Sequence, residues 1–345
     1  MSKIVNGFML IDAPWSALNN AGIDVGERTD NAVKVKIIRK GRDVYPYVSG
    51  QAVRYWWRET LAQKFGWKLS PVERVQKVAY TSANPIDYDD DDMFGYMRAA
   101  KEEVEKNGKK QKIDVTVTRI SPLKNSPLLS IYPQTPTNDF GVMARQKEGG
   151  PVPFEHEFYS VILKGIFSID IENVGKFYEI EKSGYENMSP KLIEHSKEMG
   201  LEHNEEEKFW KMPIDIRRKR IKEVILALPY LSGGAKLTEH LTDVSPKFLI
   251  LAVLEGGNHI FMNVCDENGI NFKALTQVIE DYKEEILSDV YIGKREGFLD
   301  DINKELDEFA NKKWTTAGRR EINIKINSIN NIVLEFTKVL DEFIK

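Results

Sequence analysis

The sequence has one cysteine, Cys265, in 345 residues. A single thiol excludes an internal disulfide and any cysteine-rich metal site, and it fits a reducing compartment. Long apolar runs are missing as well: no window approaches the roughly 20 residues of a membrane span. The start, "MSKIVNGFMLIDAPW", has too short an apolar stretch for a signal peptide and no small-residue cleavage pattern. A cytoplasmic protein without a membrane partner is expected. Basic excess is absent too. The formal net charge is −4, which argues against an indiscriminate nucleic-acid binder. The acidic residues are unevenly placed, concentrated at 87–92 and 202–207, so a local basic groove stays open.

Catalytic signatures are also lacking. The five histidines (His156, His195, His203, His240, His259) form no His-x-x-x-His pair and no HExxH. No GxSxG or phosphate-binding P-loop occurs, and Cys265 has no nucleophile motif around it. His195 and His203 read as parts of a solvated helix face. "DYDDDD" offers carboxylates for a hard cation, but without spaced ligands or a turn glycine it reads as a solvated acidic loop. No cofactor, no metal and no enzymatic activity are expected.

What is present is a folded composition, 41% hydrophobic and 30% charged, enough for one large domain or two ordinary ones. "KIVNGFMLI" reads as a short strand ended by Asp12, Ala13 and Pro14, and a Gly/Asn/Asp-rich loop follows. Val33, Val35 and Ile37 alternate with lysines as a half-buried strand before a Lys-Gly-Arg turn. A helix over 50–65 comes next. The chain from 67 to 112 reads as largely helical, "KIDVTVTRI" as a strand, and 121–157 as a long irregular stretch. "FYSVILKGIFSIDI" reads as a strand buried on both faces, 182–222 as a charged helical insertion, and "FLILAVLEGG" with "HIFMNV" as core. From 272 the apolar spacing is helical: Leu275, Val278, Ile279, Tyr282, Ile286; then Phe298, Ile302, Leu306, Phe309; then Ile329, Val333, Phe336, Leu340, Phe343. Strand, loop, strand, turn and helix in this order predict an α+β sheet domain.

Several segments carry backbone-binding chemistry. In "PYVSGQAVRYWWRETL", Ser49 can cap a helix and Gly50 permits close approach of another chain. Gln51, Arg54 and Arg58 fall within roughly 60° on that helix, beside an apolar stripe of Val53, Trp57 and Leu61. Helix N–H groups with two guanidiniums can hold a phosphate; a packed helix with snorkelling arginines would look the same. In "RISPLKNSPLLS", Arg119, Ser121 and Lys124 border a turn stiffened by two Ser-Pro steps, suited to sugar and phosphate or to a plain connection. "LSGGAK" adds Gly233, Gly234 and Lys236. The segment from Asp139 to Pro153 can form a hairpin, with Phe140, Val142 and Met143 near Arg145 and Lys147. Exposed apolar residues beside cations can wedge between bases.

In this order the segments resemble the DevR-type backbone subunit of type I CRISPR Cascade complexes, a branch of the RAMP superfamily. The matching pieces are "LNNAGIDVGERTDN", "YPYVSGQAVRYWWRETL", "DMFGYM", "RISPLKNSPLLS", "TPTNDFGVMARQKEGGPVPFEHEFYSV" and "LSGGAKLTEHLTDVSPKFLI". The resemblance implies a modified RRM-like ferredoxin fold, the palm, spanning 1–345. It would carry a helical insertion at 67–112, a thumb-like hairpin at 132–157, a charged helical insertion at 182–222 and a helical region at 272–345. Copies would line up along a CRISPR RNA in a helical filament with other Cascade subunits, a large or small subunit and a repeat-handle-binding subunit. The guide would be held by its backbone while its bases pair with target DNA. The implied RNA contacts are Asn19, Arg28, Ser49, Gly50, Gln51, Arg54, Arg58, Arg119, Ser121, Lys124, Arg145, Lys147, Gly233, Gly234 and Lys236, with Phe140, Val142 or Met143 as wedge. An RNP-type aromatic motif is absent, in keeping with backbone-led binding. Two rivals stand beside this reading. Related type III subunits cleave RNA with an early-loop aspartate, for which Asp12, Asp24 and Asp30 are available. The other rival is a protein-only regulatory scaffold.

Overall fold

A computed structural model of the chain describes residues 2–23, 32–75, 77–106, 109–144 and 150–345. The fold is mixed α+β around one large sheet. Its central strand, Lys3–Ser16, pairs antiparallel with Val152–Asp170 on one side and Phe248–Glu255 on the other. The first pairing stays in register from Ile4↔Asp170 to Ala13↔Val161, then shifts before Ser16↔Tyr159. Pro14 offers no N–H to the ladder and Trp15 has φ 45°, so the strand bulges there and continues to Ser16. The sequence places the strand's end at Pro14; the chain absorbs the proline in the bulge.

Beyond Val152–Asp170 lie Leu128–Ser130, Asp43–Val48 and Ile37–Lys40. On the other side Val290–Lys294, Glu321–Asn327 and Lys313–Thr315 follow Phe248–Glu255. Both faces of the centre are covered. Val5, Met9 and Ile11 point toward helices Gly50–Phe65, Ile214–Leu226 and Ile329–Val339. Ile4, Phe8 and Leu10 point the other way, under Phe272–Asp281 and Asn303–Ala310. Strand Phe248–Glu255 is buried from Phe248 to Leu254, as a continuous apolar run between two layers must be. Val152–Asp170 instead alternates: Tyr159, Val161, Leu163 and Phe167 are buried, while Ile162, Lys164 and Ile166 are half-buried.

The helical expectation for 67–112 is not met. Hairpins Val72–Val75/Val78–Thr81 and Tyr96–Lys106/Lys109–Arg119 flank one short helix, Asp89–Phe94. Buried Val115 and Val117 alternate with exposed Asp114 and Thr116, a period of two hidden by the surrounding charge. The 182–222 segment holds helix Pro190–Glu198 and enters Ile214–Leu226. Between them Glu202–Asn204 and Phe209–Lys211 join the earlier Lys176–Tyr178 in a three-stranded sheet with its own core of Phe177, Met188, Trp210 and Met212. From 272 on, three strands, Val290–Lys294, Lys313–Thr315 and Glu321–Asn327, join the main sheet, and Ile286 bridges Leu254 instead of continuing a helix. "HIFMNV" contains the 3-10 turn Ile260–Asn263.

Candidate nucleic-acid interface

Helix Gly50–Phe65 has the limits its sequence dictates. The Ser49 hydroxyl accepts from Ala52 N–H (3.4 Å), and Gly66 ends the helix at φ 68°. The Ser49 carbonyl serves Ala52 and Val53, which leaves the Gly50 and Gln51 N–H groups at the helix mouth. Trp57 is fully buried, donating Nε1–H to the Val224 carbonyl (3.0 Å) with its ring edge-on to Phe167. Trp56, one position earlier, lies under the second glycine corner. A Cβ on Gly233 would sit 2.0 Å from the Trp56 ring, and one on Gly234, at φ 118°, 2.9 Å from Leu18. Both tryptophans anchor the helix, and Arg54 and Arg58 lie on its half-buried edge.

That edge borders an open groove lined by Gly50, Gln51, Arg58, Phe94, Lys124 and Asn125, with Arg54, Arg119 and Ser121 in its floor. Three separate sequence segments meet there. Asn125 Nδ2 donates to the Gly50 carbonyl (3.1 Å), locking the central turn to the helix start. Phe94 lies beneath both guanidiniums, 5.0 Å from Arg54 and 4.3 Å from Arg58. Gly95 can have no side chain, because a Cβ would lie 2.5 Å from the Arg119 carbonyl.

The cations divide into anchored and available ones. Arg54 donates to the carbonyls of Leu123 (3.0 Å) and Phe94, to Ser121 Oγ (3.2 Å) and to Asn125 Oδ1 (3.4 Å). Burial, then the neighbouring charge of Arg58, lowers its pKa to about 10. Arg58 is also lowered by burial, offset by Asp90 and Asp91, and its contact with Asp90 is long at 3.8 Å. Burial of both guanidiniums, with the charge of Arg58 acting on Arg54, makes a site that an anion would relieve. Lys124 and Gln51 are exposed at its rim.

Arg119 is expected at the guide, but the structure turns it inward. It pairs with Asp92 and donates to the carbonyls of Asp92 (3.0 Å), Lys176 (2.8 Å) and Asn173 (2.7 Å). With 6% of its surface exposed, Arg119 builds the groove's floor and presents no guanidinium to a ligand. "DYDDDD" is likewise corrected: Asp90, Asp91 and Asp92 are buried, not solvated. Asp92 takes Arg220 (2.7 Å) as well as Arg119, Asp90 accepts from Ser70 N–H (2.8 Å), and Asp91 from Asn84 N–H (2.8 Å).

From the helix mouth the surface continues toward the second glycine corner. Asn19 Nδ2 reaches Ser49 Oγ at 3.5 Å, and the Leu18 carbonyl accepts from Ala235 N–H (2.9 Å). Lys236 follows, paired with Glu239 (3.1 Å). Beyond it strands Thr137–Met143 and Val152–Asp170 form the expected hairpin, in which Phe140, Val142 and Met143 are all more than half exposed or at the half mark. Phe140 and Val142 share a face, and Met143 is on the other. Arg28, Arg145 and Lys147 lie outside the described residues, as do Asp24 and Asp30. Asp12 sits within the central strand opposite Ile162, its pKa raised by burial, and not in a loop.

The sequence gives no sign of one feature at the hairpin's base: His156, Glu239 and His240, 84 residues apart at the extremes, come together there. Among the described residues no helix is long and apolar enough to cross a membrane.

A family model described as "CRISPR-associated negative auto-regulator DevR/Csa2" matches residues 15–271. Among solved structures, a chain of a "CRISPR RNA-guided surveillance complex, pre-nicking" is similar in fold. Its TM-score is 0.51 at 11% identity, covering 97% of this chain and 99% of that one. A chain of a "CRISPR RNA-guided surveillance complex" gives a TM-score of 0.48, also at 11% identity, with the same coverage. No curated protein sequence matches.

Proposed function

The chain belongs to the DevR/Csa2 family of CRISPR-associated proteins, and we propose that it is the backbone subunit of a type I Cascade surveillance complex, holding CRISPR RNA by its sugar-phosphate chain. The observation that carries this reading is the convergence of "SGQAVR", "DMFG" and "RISPLKNS" on one groove with the Arg54–Arg58 pair at its edge. Arg58, Lys124, Gln51 and the Gly50–Gln51 N–H groups take phosphate; Arg54 and Arg119 hold the groove in shape. Asn19, Ser49, Gly233, Gly234 and Lys236 extend the track toward the hairpin, where Phe140 and Val142 form the wedge beside a displaced base.

The strand order supports an RRM-like palm. Phe248–Glu255, Lys3–Ser16, Val152–Asp170 and Leu128–Ser130 are antiparallel neighbours in that order. Helix Gly50–Phe65 falls between the first and second of these in the chain, and helix Ile214–Leu226 between the third and fourth. An RRM stacks bases on the sheet face opposite its helices. Here much of that face is covered by Phe272–Asp281 and Asn303–Ala310, which favours backbone contacts at the groove over base stacking. Protein then carries any spacer, and pairing reads the sequence. Copies of the chain line the guide in a filament, joined by the other Cascade subunits, in the cytoplasm.

Guide-binding titrations with Arg58→Ala and Lys124→Ala test the reading. Each variant weakens binding equally for unrelated spacers and lowers the salt slope by about 0.7 per lost contact. Loss confined to some spacers would show that these side chains read bases, and would overturn the model. The subunit is read as non-enzymatic. Cutting of complementary RNA by the assembled complex with a divalent metal, abolished by Asp12→Ala, would replace this with a type III-like activity.

A further inference from the structure

We propose that His156, His240 and Glu239, with Asp139, form a binding site for a divalent transition ion of the zinc class that clips the base of the Thr137–Met143 hairpin to the second glycine corner. Asp139 and His156 are cross-strand partners in the hairpin, whereas Glu239 and His240 lie on the short helix after Lys236. One ligand atom from each of His156, Glu239 and His240 lies within 4.8 Å of the others. His156 Nε2 is 3.4 Å from Asp139 Oδ2 and 3.6 Å from Glu239 Oε2. These separations are too long for good hydrogen bonds. They equal the spacing of two ligands on one tetrahedral ion, about 3.3–3.6 Å for bonds of ~2.0–2.2 Å.

A second observation also points to a ligand. His156 is 6% exposed with its Nε2 turned to the two carboxylates, and the His240 Nε2 is buried without a hydrogen-bond partner. An imidazole buried beside two carboxylates, with a second imidazole against it at 6.1 Å, is poorly satisfied by protein alone. Two imidazoles with carboxylates suit zinc and its neighbours better than calcium or magnesium, which prefer all-oxygen shells. Lys236, 3.1 Å from Glu239 Oε2, is the cation that the ion displaces from this carboxylate. The site lies beside Lys236, at the far end of the track proposed for the guide, and its metal uptake is measured without guide RNA.

The test uses the full-length, untagged chain, stripped with chelator and titrated with Zn²⁺ against a chromophoric competitor. One equivalent binds per chain, and His240→Ala weakens uptake by on the order of 100-fold. Zinc also slows amide exchange in Thr137–Met143. His240 is half-buried at the surface, so its variant stays folded, as circular dichroism checks, even if His156→Ala does not. The proposal fails if no stoichiometric zinc is taken up, if uptake survives both histidine substitutions, or if Ca²⁺ and Mg²⁺ compete equally.

Discussion

Asp90 shows how single residues tune the groove. Burial raises its pKa from 3.8 to about 6, against the hydrogen bond from Ser70 and the charge of Arg58. The folded state therefore holds this proton more tightly than the unfolded chain. The contribution to stability is full below pH 3.8 and is lost as pH rises through about 6. Asp90→Asn keeps an acceptor for Ser70 and removes the penalty, so the variant gains stability relative to the parent at pH 8 and not at pH 4. Urea midpoints at the two pH values measure this; a pH-independent difference would contradict it. The same change removes the only carboxylate that contacts Arg58 among the described residues, so guide affinity rises at low salt. Elsewhere on the same helix, Gly233→Ala drives a methyl into the Trp56 ring. Thermal melting should record a loss of about 1–3 kcal/mol, the cost of overpacking a fixed aromatic.

At the scale of elements, the opening helix was legible because both of its ends are written locally, in Ser49 and Gly66. A shared role for the three motifs was implied by the family resemblance of their order, while their chemistry alone left packing and a plain turn open; the groove brings them together. Which arginine would face a ligand did not: Arg54 and Arg119 are turned inward by carbonyls and carboxylates 27 to 71 residues away. The acidic run was misread for the same reason, since its chief partner Arg220 lies 128 residues from Asp92. In the tail, Ile322 and Ile324 alternate as a strand, but neighbouring segments with helical spacing masked them. The hairpin pairs Thr137–Met143 with the start of Val152–Asp170, and its exposed apolar face is testable on its own. Phe140 is 61% exposed and Val142 50%, so serine at both leaves stability within about 0.5 kcal/mol of the parent. If these residues wedge the guide, the same variant weakens assembly on guide RNA. An unchanged assembly with unchanged stability would remove them from that role.

At the scale of the whole molecule, charge sets how the chain can hold RNA at all. A net charge of −4 means that each copy repels a polyanion at long range, and attraction comes only from the groove. One carboxylate of the acidic run, Asp92, is withdrawn from the groove by Arg119 and Arg220 inside the protein. The cations along the described track, Arg58 and Lys124, with Lys236 where phosphate displaces Glu239, allow two to three phosphate contacts per copy. The salt dependence should then be shallow, with log affinity falling against log salt by about 1.4–2.1 per bound copy. A domain that coated RNA with a basic face would give a far steeper slope. Titrations of guide RNA from low to moderate salt distinguish the two, scored by the number of copies bound. A slope near 5 per copy would mean that a basic surface beyond this groove carries the RNA, and the assignment of the Arg58–Lys124 edge as the main contact would fall.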